Sequence, residues 1–201
     1  MFKLAVLASG RGSNFASIVE KIEAGDVPAV VDALVSDNPQ AKALDVARAH
    51  GIATAVFRRE DFPTNKTHNQ AIVDFLRPRG IDLVVLAGYM RIVKAPLLEA
   101  FPNRIVNIHP ALLPSFPGLH GQKQALDYGV KVSGCTVHFV DAEVDHGPII
   151  LQAAVPVEQD DTEETLSARI LVEEHKLLPR AITLIAQGKV VVEGRRVRIL
   201  T

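Results

Sequence analysis

Short, almost continuous apolar runs alternate along the first half of the chain with longer segments whose apolar residues recur every three or four positions. Lys3 to Ala8, Val30 to Ser36, Ala53 to Phe57, Leu83 to Ala87 and Arg104 to Ile108 read as strands buried on both faces. Asn14 to Ala24, Ala41 to His50 and Lys66 to Arg77 read as helices, with Gly25, Gly51 and Gly80 as their stops. Strand and helix in alternation predict βαβ units, hence a Rossmann-like α/β half with a mostly parallel central sheet flanked by helices. The second half changes period: Val132 to Val140 and Ile149 to Val157 predict longer strands, and Thr162 to Gln187 a long helix. Asp161, Thr162, Glu164 and Thr165 supply capping chemistry at its start. Lys189 to Ile199 predicts a hairpin turning at Glu193-Gly194, so antiparallel additions are expected in the C-terminal half.

Composition narrows the picture. With 201 residues the chain is expected to form a single domain, 1–201. A net charge of -1 argues against nucleic acid as a partner, because phosphate-backbone binding needs clustered Lys and Arg. The one cysteine, Cys135, lies in a strand-like run and reads as a buried, inert thiol in a reducing compartment. Phe2 to Ala8 is too short for a membrane span and runs straight into a Gly-rich turn, unlike a signal peptide, so a cytoplasmic protein without a membrane partner is expected. No His-Glu-x-x-His and no cysteine pair occur, and no metal is expected.

Ligands of open α/β sheets collect at the carboxyl ends of strands. Four polar segments sit there, after Ala8, Ala87, Ile108 and Val140, and would line one crevice. In Asn107-Ile-His109-Pro110 a carboxamide and an imidazole two residues apart on a strand point to the same side. Asp145, in the acidic stretch Asp141 to His146, could orient or charge that imidazole. An amide donor for an oxyanion, an imidazole for protons and a carboxylate to hold it suit acyl transfer to an amine. The bland alternatives are a strand-end histidine satisfied by backbone and an ordinary acidic turn. Among the seven histidines, His50, His68 and His146 read as surface residues, and His138 and His175 as packed or supporting ones. Ser9-Gly-Arg-Gly-Ser-Asn14 leads from strand to helix and can bind an anion on backbone N–H groups, or be a plain turn capped by Ser13 or Asn14. It lacks the Walker ending, and Phe15 replaces the third glycine of a dinucleotide fingerprint.

Taken together, Ala8-Ser-Gly-Arg-Gly-Ser-Asn14, Leu86-Ala-Gly-Tyr-Met-Arg-Ile92, Asn107-Ile-His-Pro-Ala-Leu-Leu-Pro114, Phe116-Pro-Gly-Leu-His120, Asp145-His-Gly-Pro148 and Glu174-His175 resemble the folate-dependent formyltransferases, in order and over nearly the whole chain. The resemblance implies formyl transfer from 10-formyltetrahydrofolate to the amine of 5′-phosphoribosylglycinamide in purine biosynthesis. It implies small-molecule partners and a monomer or homodimer. Asn107, His109 and Asp145 become the catalytic candidates. The ribonucleotide would be bound by Gly12, Ser13 and Asn14 through its phosphate and by Glu174 through its ribose; periodicity alone makes Glu174 a solvated helix residue. The folate would be contacted by Met90, Arg91, Ile92 and Val93, by Asn107, and by Val140, Asp141, Ala142, Glu143 and Val144. The chain departs from the family in three places. Leu171 stands where many relatives carry Lys or Gln, and Tyr89 where Phe is common. Asn65 occupies the expected place of a basic residue, which leaves Lys66 next to it as the candidate for the cofactor's tail. The related hydrolase and tRNA enzymes would be expected to carry an added domain for which 201 residues leave no room.

Overall fold

The computed structural model describes residues 1–201. The chain divides into two compact units, Met1–Asn107 and Ile108–Thr201. In the first, β1 (Phe2–Leu7), β2 (Ala29–Ser36), β3 (Ala53–Val56), β4 (Leu83–Leu86) and the start of β5 (Ile105–His109) run parallel in the order β3-β2-β1-β4-β5. Leu4 to Leu7 and Leu83 to Leu86 are buried throughout, the continuous apolar content that a parallel sheet covered on both faces requires. The connecting helices are α1 (Ser13–Glu23), α2 (Lys42–Ala49), α3 (Asn65–Leu76) and α4 (Ala95–Ala100). Gly25 and Gly51 have positive φ just past α1 and α2, as expected of helix stops.

Register brings Leu7, Leu86 and Asn107 level at the carboxyl ends of β1, β4 and β5. Two of the four polar segments meet there. Ser9 N–H donates to the Gly88 carbonyl at 3.0 Å, and Ser9 Oγ accepts from Met90 N–H at 2.8 Å.

In the second unit, α5 (Gly121–Tyr128) precedes the antiparallel pair β6 (Val132–Phe139) and β7 (Ile149–Pro156), against which α6 (Glu163–Ala186) packs. Thr162 and Thr165 form a reciprocal capping box at the start of α6, from the residues the sequence indicated. Pro179 removes one backbone donor inside α6, yet it is buried with Leu177, Leu178, Ala181 and Ile182, so packing carries the helix through it. The pairing shifts register between Val137 and His138, a bulge of the kind that re-aims a side chain. The hairpin of β8 (Val190–Glu193) and β9 (Arg196–Ile199) lies against β7. It turns at Gly194-Arg195, one residue later than the sequence indicated, because the pairing of Glu193 with Arg196 leaves those two in the loop. The result is an α/β fold, mostly parallel, with antiparallel additions in its second half. No helix is long and apolar enough to cross a membrane.

Candidate active site

Strand β5 ends on His109, and its alternation points Asn107 to the same side. His109 is buried, with both ring nitrogens engaged. Nε2 lies 2.8 Å from the Phe116 carbonyl, and Nδ1 lies 3.4 Å from Asp145 Oδ2. A carbonyl only accepts, so Nε2 carries the proton. A proton on Nδ1 as well would face the carboxylate. Phe116 holds its carbonyl there from a left-handed φ of 54°, a costly conformation for so bulky a residue.

Asp145 also has a left-handed φ, 51°. Its Oδ2 accepts from Gly118 N–H at 2.7 Å, and its Oδ1 lies 3.6 Å from His138 Nε2. The other nitrogen of His138 is 2.8 Å from the Phe139 carbonyl, so this ring too is pinned by backbone on one side and faces Asp145 on the other. The carboxylate thus sits between two buried imidazoles. His138 is a packed, supporting residue, the sense in which the sequence read it.

The charges compete. Burial drives the His109 pKa below its ordinary value, and the opposing pull of the Asp145 charge does not make up the difference. The carboxylate acts upward, the sense in which Asp145 could charge the imidazole, but desolvation at a buried strand end is the larger effect. For Asp145 burial acts upward, but the contact with His138, the charge of His109 and the Gly118 N–H outweigh it, and its pKa is lowered.

The segment Val140 to Gly147 leaves β6 at its bulge and returns to β7. Phe139 N–H donates to the Pro148 carbonyl at 2.9 Å across the neck. A Cβ on Gly147 would come within 1.7 Å of the Phe139 oxygen, so only glycine closes this neck. Val140 and Asp141 are half-buried, while Ala142, Glu143 and Val144 are exposed. A cleft of about 230 Å³ beside the loop is lined by Leu113, Pro114, Pro117, Val144 and Ile149 around Asp145. Glu174 corrects the sequence reading: it is buried, because its turn of α6 faces the sheet. Its charge adds to burial in pushing the Cys135 thiol up to about 12, which makes that thiol inert.

In the first unit Gly12 rather than Ser13 or Asn14 occupies the N-cap of α1, at φ 75°, so the cap position itself carries no side chain. The helical ladder begins with Ala16 N–H on the Gly12 carbonyl, leaving the first turn's N–H groups directed at the helix start. Glycine is needed at position 12 for a second reason: a Cβ there would lie 2.7 Å from that of Ala43.

After β4, Met90 and Ile92 are exposed apolar side chains and Val93 is buried. Arg91 Nε donates to the buried Asp37 Oδ2, so the guanidinium is anchored rather than free. Burial raises the Tyr89 pKa, and its hydroxyl lacks a hydrogen-bond partner. Lys66 is exposed. Asn65 Oδ1 accepts from Arg59 Nε, which brings a guanidinium to the residue next to Lys66 in sequence. His68 is no surface residue: it is buried, with Nε2 2.8 Å from the Phe57 carbonyl and its ring edge-on to Phe62. The contributions of Gly118 and the Phe116 carbonyl escaped the sequence reading. Both act through backbone atoms, and their trace in the sequence is the Phe116-Pro-Gly-Leu-His120 motif with its Pro117-Gly118 turn signal, which carries no role for either residue.

A model of the formyl transferase family matches residues 2–182 of the chain. The crystal structure of glycinamide ribonucleotide transformylase 1 from Symbiobacterium toebii matches with a TM-score of 0.99 and 52% identity, covering 100% of this chain and 95% of that one. Phosphoribosylglycinamide formyltransferase of Bacillus subtilis is 44% identical over 182 residues, 90% of this chain and 93% of the relative. The trifunctional purine biosynthetic protein adenosine-3 of Drosophila melanogaster is 43% identical over 188 residues, and this chain spans 14% of its length.

Proposed function

Because the chain belongs to the formyl transferase family, we propose that it moves a formyl group from 10-formyltetrahydrofolate to the amine of 5′-phosphoribosylglycinamide. The observation that carries this reading is the buried pair of His109 and Asp145 at the end of the strand that also bears Asn107. Neutral amine adds to the formyl carbon, and negative charge develops on the formyl oxygen. Asn107 donates its amide N–H to that oxygen, and His109 donates from Nε2, where the Phe116 carbonyl now marks the position of an acceptor. Asp145 stabilises the imidazolium and takes part, through water, in moving the proton lost by the amine. The tetrahedral adduct then collapses: the bond from the formyl carbon to the folate nitrogen breaks, and that nitrogen takes up a proton and leaves as tetrahydrofolate. No side-chain nucleophile is called for, in keeping with the inert Cys135.

Residues of the character a folate needs are present: Met90, Ile92 and Val144 offer exposed apolar surface, and Leu113, Pro114 and Ile149 line the cleft beside Asp145. On this reading Met90 to Val93, Asn107 and Val140 to Val144 contact the folate. Lys66 meets its acidic tail. Gly12, Ser13 and Asn14 receive the ribonucleotide phosphate at the start of α1, where the helix dipole favours an anion. Glu174 accepts from the ribose hydroxyls. The partners are small molecules, met in the cytoplasm by a monomer or homodimer.

The test is a transfer assay with 10-formyltetrahydrofolate, followed by absorbance, on phosphoribosylglycinamide and on its unphosphorylated riboside. The phosphorylated amine is expected to react with much the higher kcat/KM, since remote phosphate binding helps to position the amine. Equal values would remove the phosphate assignment, and no transfer to either amine would sink the reading as a whole.

A further inference from the structure

The C-terminal hairpin lies beyond the residues that the family model matches, 2–182, and no step described above uses it. Its two-residue loop has Gly194 at φ 62° in the first position, the demand of a tight hairpin of the II′ class. That turn carries Arg195 at the tip. The side chain reaches back 49 positions in sequence: Nη1 donates to the His146 carbonyl at 2.5 Å and lies 3.2 Å from His146 Nδ1. The same Nδ1 is 3.0 Å from Asp141 Oδ2, and Asp141 Oδ1 accepts from Glu143 N–H at 2.9 Å. Nδ1 can donate to the Asp141 carboxylate or accept from Arg195 but not both, so the link from Arg195 to the loop that bears Asp145 is its bond to the His146 carbonyl. Arg195 also borders the same cleft as Glu143, Val144 and Asp145.

The loop has reason to need such an anchor. It is fixed at its neck by Phe139, Gly147 and Pro148, and on its inner side by Gly118 N–H on the Asp145 carboxylate. Asp145 holds a left-handed φ, which persists only where the surroundings over-determine it. The bond from Arg195 to the carbonyl of the residue after Asp145 fixes the local course of the backbone from outside.

We propose that Arg195 is a positioning residue for formyl transfer: by holding the His146 carbonyl it keeps the Asp145 carboxylate directed at His109. This rests on the function proposed above. Arg195 itself touches no reacting atom.

The test uses the full chain as wild type, Arg195→Ala and Arg195→Lys, with two readouts. One is kcat and KM for both substrates. The other, independent of turnover, is amide hydrogen exchange at Gly118, whose N–H reports where the Asp145 carboxylate lies. Arg195→Ala is expected to lower kcat by roughly tenfold, since a small misplacement of a reacting group costs up to about 10²-fold. KM for the amine should stay within about twofold. Gly118 exchange should accelerate by about tenfold, as the loop opens more often. Arg195→Lys should recover most of both effects, because an ammonium still donates to the carbonyl.

A fall in kcat with Gly118 exchange unchanged would place Arg195 on the substrate instead and overturn the proposal. Faster exchange with wild-type kcat would overturn it as well, as would wild-type values of both. A wild-type protein that transfers no formyl group would defeat the proposed function while leaving the Gly118 readout to decide on the clamp.

Discussion

The turn after β1 and the loop after β6 each follow a strand and carry polar groups, yet they are built by opposite means. The first is a backbone device: a left-handed glycine packed against Ala43 opens α1 with no side-chain cap, and its polarity comes from N–H groups and the helix dipole. The second is a side-chain device, in which a carboxylate is buried between two imidazoles that backbone carbonyls hold in place. A site made of peptide dipoles has no proton to gain or lose, so it suits binding of an anion whose charge stays fixed. A site made of buried titratable groups has protonation states set by burial and by neighbours, so it suits proton movement.

Five substitutions would break or sharpen that contrast. Asp145→Asn should have the largest effect, a loss of roughly 10³-fold in kcat, within the range for general acid–base groups. Without the carboxylate the His109 pKa should fall further than burial already takes it, moving the alkaline limb of kcat to lower pH; an NMR titration of the ring checks this. Unchanged turnover and titration would make the loop an ordinary acidic turn. Next, Asn107→Asp removes an N–H donor and adds a negative charge at nearly constant volume. About 3 kcal/mol of transition-state stabilisation should be lost, read from kcat/KM on a variant shown to be folded.

The two glycines probe the contrast in stability. Gly147→Ala drives a Cβ onto the Phe139 carbonyl and should cost about 3 kcal/mol in denaturant unfolding. Gly12→Ala should cost about 2 kcal/mol, part of it the left-handed φ. If Gly12→Ala folds normally and keeps its preference for the phosphorylated amine, the backbone device is not where the phosphate binds.

The smallest effect is the pH dependence of stability. The lowered pKa of His109 means that the unfolded chain binds more protons than the native one below about pH 6.5. Unfolding free energy should therefore rise with pH across that window, by at most about 1.4 kcal/mol per pH unit for one proton. Asp145, also lowered, acts with the same sign below its ordinary carboxylate range, its stabilisation being lost as pH falls through its folded value. His109→Gln should flatten the upper step, and a slope that survives the substitution would assign the step elsewhere.

Period made the strands and long helices legible, because buried parallel strands are apolar throughout and the amphipathic helices each span two or more turns. α4, at 6 residues, is too short to show a period, and α5 escaped notice because it buries only Gly121 and Ala125 and so has no apolar face to read. His68 and Glu174 look like surface residues in the sequence and are buried in the fold. A polar residue on a helix shows no sign of which neighbour it will face.

The sequence by itself determined which residue types are available for acyl transfer and put Asn107 and His109 on one side of one strand, because strand alternation is local. The pairing of His109 with Asp145, the Phe116 carbonyl on its other nitrogen and the Arg195 contact with His146 were decided by tertiary structure alone. So was the net direction of the His109 pKa. It depends on how much water the fold removes from the ring, and burial is a property of the packed chain rather than of any segment.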